Sequence, residues 1–257
     1  MGSTTALVFT ATKVGTGMWN KDDLKYELEG HALRKCHNAC LNYLKIVSSP
    51  LNCRYEGSWL DDCFNGKGVY TDACGSRYEG EWEQDLMHGA GVYVDSNGNK
   101  YDGYFQHGKF HGFGRLKEVT GDYYEGEYRF GKRNGHGSMI DTEGNKYIGE
   151  WKDNMRWGFG TFEDVMDGVY KGQYCNDVRD GPGYYFWLEG GLDAVVCKNN
   201  VRDGKGVGWS HDRKECWLMV NGQYKKHITI DDGKRITKSL GLDVIFVPNE
   251  VLTSKMT

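Results

Sequence analysis

The chain has 257 residues, of which 37 are glycine and 14% are aromatic, and its formal charge at neutral pH is −4. This weakly acidic balance gives no overall positive field that would attract nucleic acid or an anionic membrane surface. No apolar run approaches the roughly 18–20 residues of a membrane-spanning helix, and the first ten residues lack the basic start and apolar stretch of a secretory signal.

Residues 1–54 precede the regular part of the sequence and are predicted to form an N-terminal cap. Around residues 31–47, apolar side chains recur at intervals of three and four, which is typical of one face of a helix. They are Leu33, Cys36, Cys40, Leu44 and Val47. Pro50 would end this helix. A helix here could cover the first edge of a sheet.

Residues 55–192 contain the same 23-residue unit six times, with no insertion or deletion. Each unit starts with a tyrosine: Tyr55, Tyr78, Tyr101, Tyr124, Tyr147 and Tyr170. A glycine follows two places later, an aromatic residue four places later, and a Gly-x-Gly pair such as Gly66 and Gly68 lies farther on. A fixed period of this length indicates a repeat architecture.

Hydrophobic alternation within each unit has a period of two residues. The leading tyrosine, the glycine and the aromatic residue point to one face, and the mostly polar residues between them point to the other. Five or six turn residues, such as residues 60–65, separate the two halves. Each unit is therefore predicted to be a β-hairpin. The predicted fold is all-β, an elongated and twisted single-layer antiparallel sheet of consecutive 23-residue hairpins with an N-terminal capping helix.

The strand glycines need a physical reason, since glycine weakens a strand unless another group fills the space above it. Large aromatic side chains share their face. We expect a ring from one hairpin to lie over the bare backbone of a neighbouring hairpin, an arrangement known as aromatic rescue.

After residue 192 the pattern weakens. Asp193 takes the place of the tyrosine, and residues 193–224 are predicted to be degenerate terminal repeats, with an eighth unit starting near Cys216. Residues 225–257 are predicted to form a C-terminal cap and tail. They contain two candidate strands, residues 227–230 and 244–247. Loss of glycine and gain of aliphatic side chains is typical of a capping repeat.

The unit Tyr-Glu-Gly-x-Trp followed by Gly-x-Gly resembles the MORN repeat (membrane occupation and recognition nexus). The match is close at residues 78–82 and 88–91, convincing over 55–192 and weak over 193–224. The resemblance implies antiparallel hairpin sheets that serve as scaffolds in axonemes, basal bodies and parasite cytoskeletons, as anchors between membranes, or as regulatory arms of enzymes. No catalytic domain of that last kind is recognisable in this chain.

Catalytic, cofactor and metal sites are not predicted. The identical acidic residues on successive hairpins suit a solvated face better than the asymmetric carboxylate pair that catalysis needs. Cys36, His37 and Cys40 supply three possible zinc ligands, but no second pair completes a site. The eight cysteines do not follow the repeat, which favours free thiols and a cytoplasmic location.

The centre of the aromatic face is the predicted partner-binding site, because aromatic residues are enriched at interaction hot spots. A helical or apolar segment of another protein could dock there. The candidate residues are Tyr101, Phe105, Tyr124, Tyr128, Tyr147 and Trp151.

Three functional hypotheses are compatible with these features. The first is a non-catalytic scaffold for protein–protein interactions in a cytoskeletal or axonemal assembly of a cilium or flagellum. The second is a peripheral membrane adaptor for anionic phospholipids, which the acidic balance disfavours. The third is an accessory subunit of a larger enzyme complex. The sequence predicts no cofactor, no nucleic-acid partner and no transmembrane segment.

Overall fold

A computed structural model describes residues 45–48 and 53–243, and the chain divides into two units, residues 1–119 and 120–257. In the first unit every strand pairs in antiparallel fashion with the next one along the chain. Its strands are β1 (Lys45–Ser48), β2 (Arg54–Leu60), β3 (Cys63–Thr71), β4 (Arg77–Glu83), β5 (Leu86–Val94), β6 (Lys100–Gln106) and β7 (Lys109–Lys117).

The second unit has the same organisation, with each strand paired to the next. Its elements are β8 (Tyr123–Arg129), β9 (Lys132–Ile140), β10 (Lys146–Lys152), β11 (Met155–Asp164), β12 (Gly168–Cys175), β13 (Val178–Trp187), β14 (Leu192–Lys198), β15 (Val201–Trp209), β16 (Cys216–Val220), β17 (Gln223–Ile228) and α1 (Ile230–Ser239). The prediction of an all-β fold of consecutive antiparallel hairpins is confirmed.

Two local predictions need correction. Residues 45–48 form β1 and pair with β2, so the end of the helix predicted over 31–47 is a strand, and residues 31–44 lie outside the described residues. The strand predicted over 227–230 stops at Ile228, and Thr229 caps α1 by accepting a hydrogen bond from the Asp232 backbone N–H at 3.1 Å. The strand predicted over 244–247 lies outside the described residues.

The repeat tyrosines form the core of each unit. Tyr55, Tyr78 and Tyr101 are at most 1% exposed. In the first five repeats the tyrosine lies along its own strand, and its hydroxyl donates to the carbonyl three residues later, as Tyr101 does to Tyr104 at 3.0 Å. We call the side of each unit that carries these tyrosines the tyrosine face.

The tyrosine rings cover the glycines of their own hairpin, which differs from the expected cover by a neighbour. A Cβ at Gly103 would lie 2.8 Å from the Tyr101 hydroxyl. The aromatic residue four places later is the one that reaches the preceding hairpin: Trp82 Nε1 donates to the Gly68 carbonyl at 3.2 Å. Tyrosine therefore fills its own hairpin, and tryptophan joins that hairpin to the one before it.

The first glycine of each Gly-x-Gly pair has a separate role. In the hairpin of β4 and β5, Gly80 pairs with Gly91 and the next residue, Glu81, pairs with His88, so two residues of β5 have no partner on β4. Gly89 lies in this bulge with φ +57°, a conformation that favours glycine. The Gly-x-Gly pair thus combines one bulge glycine with one glycine beneath the tyrosine ring.

The C-terminal helix adds a second layer on the side opposite the tyrosine face. Leu192, Ala194, Val207, Trp209 and Cys216 are buried there, and Ile236 of α1 and the residue that caps its C-terminus, Leu240, pack against them. A Cβ at Gly233 would lie 2.7 Å from Cys216 Sγ, so glycine at this point of α1 allows the close approach.

The buried tyrosines predict a specific response to alkali. Burial raises the pKa of Tyr55, Tyr78, Tyr124 and Tyr147 well above the ordinary value of 10.0, and that of Tyr174 to about 12. Because the folded pKa exceeds the unfolded one, this stability is complete below pH 10 and is lost as the pH rises through the folded values. We expect circular dichroism and tyrosinate absorbance to change together above pH 10; full tyrosine ionisation at pH 10 without unfolding would contradict this.

Candidate partner-binding groove

All six side chains of the predicted partner-binding site are at most 5% exposed. Tyr101 and Phe105 belong to the first unit, and Tyr124, Tyr128, Tyr147 and Trp151 to the second. A partner on the tyrosine face would therefore first meet the residues that cover these rings. Their own role in binding stays a prediction, and the covering residues become the more direct candidates.

The second unit has a groove of about 250 Å³ on its tyrosine face. Tyr147 and Trp151 of β10 belong to its lining, with their ring centroids 5.1 Å apart in an edge-to-face arrangement. The full lining is Arg133, Met139, Asp141, Asn145, Tyr147, Trp151, Asn154, Arg156, Phe162 and Asp177.

Two residues of the groove lining, Arg133 and Arg156, belong to a row of arginines that occupies the same place in successive hairpins. We call Arg133, Arg156, Arg179 and Arg202 the arginine row. In the first unit the equivalent residues are Phe64, Met87 and Phe110. Phe64 stacks on Tyr55 and Phe110 on Tyr101, each with ring centroids 3.7 Å apart.

The arginines lie over the same rings that the phenylalanines cover in the first unit. Arg133 Cζ is 4.4 Å from the centroid of the Trp151 ring and 5.6 Å from that of Tyr124. Arg156 Cζ is 5.7 Å from the Tyr147 ring. A guanidinium at these distances is attracted to the ring and can still direct its N–H groups outward. The second unit therefore presents cations where the first presents apolar side chains.

Hydrogen bonds hold the arginines in place. Arg133 Nη2 donates to the Asn154 carbonyl at 3.1 Å, and Arg179 Nη1 donates to the Tyr185 hydroxyl at 2.5 Å. Arg156 donates to the Asp177 carbonyl at 2.9 Å and forms an ion pair with its carboxylate at 3.3 Å.

The hairpin turns fix the spacing of the row. Asn154 accepts a hydrogen bond from the Arg133 backbone N–H through its side chain, at 2.8 Å, and its own N–H donates to the Arg133 carbonyl at 3.0 Å. Asp177 joins Arg156 in the same way, and Asn200 joins Arg179. Arg133, Arg156 and Arg179 are thus each anchored to the turn of the next hairpin.

A second row runs beside the arginines on the tyrosine face. We call Met139, Phe162 and Tyr185 the apolar row; each pairs across the hairpin with the repeat tyrosine of its unit. All three side chains are half-buried. Rigid rings beneath and partly exposed apolar groups above make a surface that a protein segment could contact.

Sequence reasoning missed the arginine row, although its signal was present. Four arginines occur at steps of 23 residues, in phase with the tyrosines. Their importance follows from the ring beneath each one, which the sequence alone does not reveal.

Neither a metal site nor a membrane span is found in the part of the chain that the structure describes. No group of histidine, cysteine and acidic side chains among residues 53–243 is arranged to hold a metal ion, and the candidate set at residues 36–40 lies outside this range. No described helix has the length and apolar character needed to cross a membrane.

Comparison with solved structures gives distant similarities. The G-box domain of the microcephaly protein CPAP is 9% identical with a TM-score of 0.46, over 72% of this chain and 98% of that domain. The TCP domain of Drosophila melanogaster SAS-4 (dCPAP), in complex with a proline-rich motif of Ana2 (dSTIL), is 14% identical with a TM-score of 0.33, over 55% of this chain and 85% of that one.

The chain has no match among curated proteins by sequence. A family profile described as the MORN repeat matches five consecutive segments: residues 55–77, 78–100, 101–123, 124–146 and 147–168. These segments begin at the tyrosines that form the core of the hairpins described above. Residues 55–168 are five MORN repeats in tandem, and the chain is a MORN-repeat protein.

Proposed function

We propose that this protein is a non-catalytic scaffold of a cytoskeletal or axonemal assembly, and that a segment of a partner protein docks in the groove of its second unit. MORN repeats are typical of repeat scaffolds for protein or membrane interaction. The observation that carries the proposal is the groove itself, in which half-buried apolar side chains lie beside arginines over a buried aromatic floor.

The composition of the groove supports a protein partner. Tryptophan, tyrosine and arginine are the residues most enriched among those that dominate binding energy. Here Tyr147 and Trp151 are locked by packing, and Arg133 and Arg156 are held by hydrogen bonds, so few rotamers are lost when a partner binds. The cytoskeletal or axonemal setting is supported by the family resemblance.

Phe162→Ala is expected to weaken partner binding at least about tenfold, because Phe162 lines the groove and offers a half-buried ring to an incoming segment. The matched control is Phe159→Ala, which removes a ring on the same strand that faces the opposite side and is 59% exposed. Affinity capture of the full chain with quantitative mass spectrometry should recover cytoskeletal proteins with the wild type and the control, and lose them with Phe162→Ala.

Met139→Gln tests the same groove through a second residue, and circular dichroism shows whether each variant is folded. Equal capture by wild type, Phe162→Ala and Met139→Gln would contradict docking in this groove. Recovery of an intact enzyme complex in place of cytoskeletal proteins would favour the accessory-subunit hypothesis.

A further inference from the structure

We propose that the groove, together with Arg179 on the next hairpin, recognises an acidic helical segment, in which carboxylates recur every seven residues and pair with Arg133, Arg156 and Arg179. This inference rests on the proposed docking function and adds the chemistry of the partner. Its basis is the arginine row, which replaces the apolar residues found at the same place in the first unit.

The spacing of the row favours a helix as the partner. Successive arginines lie on successive hairpins, two strands apart, so they are separated by about 9.5–10 Å. Seven residues of an α-helix rise about 10.5 Å and return to the same face within about 20°. An extended segment covers this distance in three residues, but residues three apart in a strand point to opposite sides. A helix that runs along the row can therefore meet every arginine from one face.

Unsatisfied positive charge favours acidic side chains on that helix. Among residues 53–243, Arg133 and Arg179 form no ion pair with a carboxylate. Arg156 forms an ion pair with Asp177, but the side chain of Asp177 is 48% exposed and lies partly in solvent. The other acidic residue of the groove, Asp141, already accepts hydrogen bonds from the backbone N–H groups of Glu143 and Asn145.

The apolar row places a further condition on the partner. Met139 and Phe162 repeat with the same 23-residue step as the arginines, so a helix in register meets one cation and one apolar side chain per heptad. The partner should therefore carry one acidic and one apolar residue per heptad on adjoining positions. Charge complementarity of this kind fixes the register and excludes basic segments.

The test uses synthetic peptides of three helical heptads and the full chain. The first peptide carries glutamate once per heptad beside leucine, the second has glutamine in place of glutamate, and the third has the same composition with glutamate every fifth residue. The protein variant Arg133→Met/Arg179→Met removes two charges and keeps a side chain that already occurs at this place, as Met87. The control Lys171→Met/Lys205→Met removes two exposed charges from the opposite face.

Calorimetric titration is expected to show that the wild type and the lysine control bind the heptad glutamate peptide at least about tenfold more tightly than either other peptide. Arg133→Met/Arg179→Met should lose this preference, and added salt should weaken it. Equal affinity for the glutamate and glutamine peptides, or an unchanged arginine variant, would overturn the inference.

The same titrations separate this inference from the proposed function. If the glutamine peptide binds as tightly as the glutamate peptide and Phe162→Ala abolishes both, docking in the groove stands and acidic recognition fails. If no peptide binds and vesicles of phosphatidylcholine with phosphatidylserine do, the arginine row serves a membrane surface and the inference is overturned. Absence of binding to peptides and vesicles alike also overturns it.

Discussion

Replacing Arg202 by methionine is expected to lower the free energy of unfolding by about 3–5 kcal/mol, because it leaves a buried carboxylate without its cation. Asp193 occupies the place of the repeat tyrosine and is 1% exposed. Its carboxylate accepts from Trp187 Nε1 at 2.9 Å and Tyr224 Oη at 2.8 Å, and lies 3.1 Å from Arg202 Nη1. The neutral donors cannot compensate for the loss of the charge.

Arg156→Met is the matched control, since Arg156 holds the same place in its repeat and its partner Asp177 is about half exposed. The ion pair between Arg156 and Asp177 should contribute less than about 1 kcal/mol to the free energy of unfolding. Urea unfolding of both variants gives the comparison. Adding Asp193→Asn to Arg202→Met should restore most of the lost free energy of unfolding, because an amide carries no charge to desolvate. Equal destabilisation by Arg202→Met and Arg156→Met would show that Asp193 does not require its partner.

The pH dependence of the Arg202→Met variant provides an independent check. Burial raises the pKa of Asp193 above its ordinary value of 3.8, against the opposing hydrogen bonds of Tyr224 and Arg202. Since the folded pKa is the higher one, stability falls as the pH rises from 3.8 through the folded value. Without Arg202 this fall in stability becomes larger. The difference in free energy of unfolding between the wild type and Arg202→Met should therefore shrink towards acid pH.

The hairpin pattern was predictable because it depends on local alternation. Tyr55, Gly57 and Trp59 share a face in any strand, and the 23-residue step repeats that face along the chain. The bulge at Gly89 was not predictable, because it depends on which residues pair across the hairpin. The sequence likewise does not specify whether a tyrosine ring turns towards its own glycines or towards those of a neighbour.

The C-terminal helix was missed for a different reason. Thr229 followed three residues later by Asp232 is a helix-start signal, but Ile228 and Ile230 suggested a strand, and Gly233 weakens a helix on propensity. Tertiary packing outweighs this low helix propensity, because Gly233 lets α1 approach Trp209 and Cys216 closely. The groove shows the same limit: the arginine spacing is visible in the sequence, and the rings beneath the arginines are not.

Gly126→Ala is expected to destabilise the protein by about 3 kcal/mol or more through overpacking. A Cβ at this position would lie 2.5 Å from Gly137 Cα and 2.6 Å from the His136 carbonyl oxygen and the Tyr124 hydroxyl. Two of these three atoms belong to the backbone of the paired strand, so no side-chain rotation can relieve the contact. The strands β8 and β9 must separate locally, which breaks ladder hydrogen bonds and lifts the Tyr124 ring.

Gly144→Ala separates this effect from the general cost of replacing glycine. Gly144 lies in a turn with φ +87°, and the methyl group of an alanine there would meet only Val165 Cγ1, at 3.6 Å, so the substitution should cost about 1–2 kcal/mol from backbone strain alone. Combining Gly126→Ala with Tyr124→Phe removes the hydroxyl contact and leaves the backbone contacts, so we expect partial recovery in urea unfolding. Full recovery of stability in the double variant would show that the Gly126→Ala cost comes from the tyrosine ring alone. If Gly126→Ala destabilises the protein no more than Gly144→Ala does, the two strands are not closely packed through their glycines.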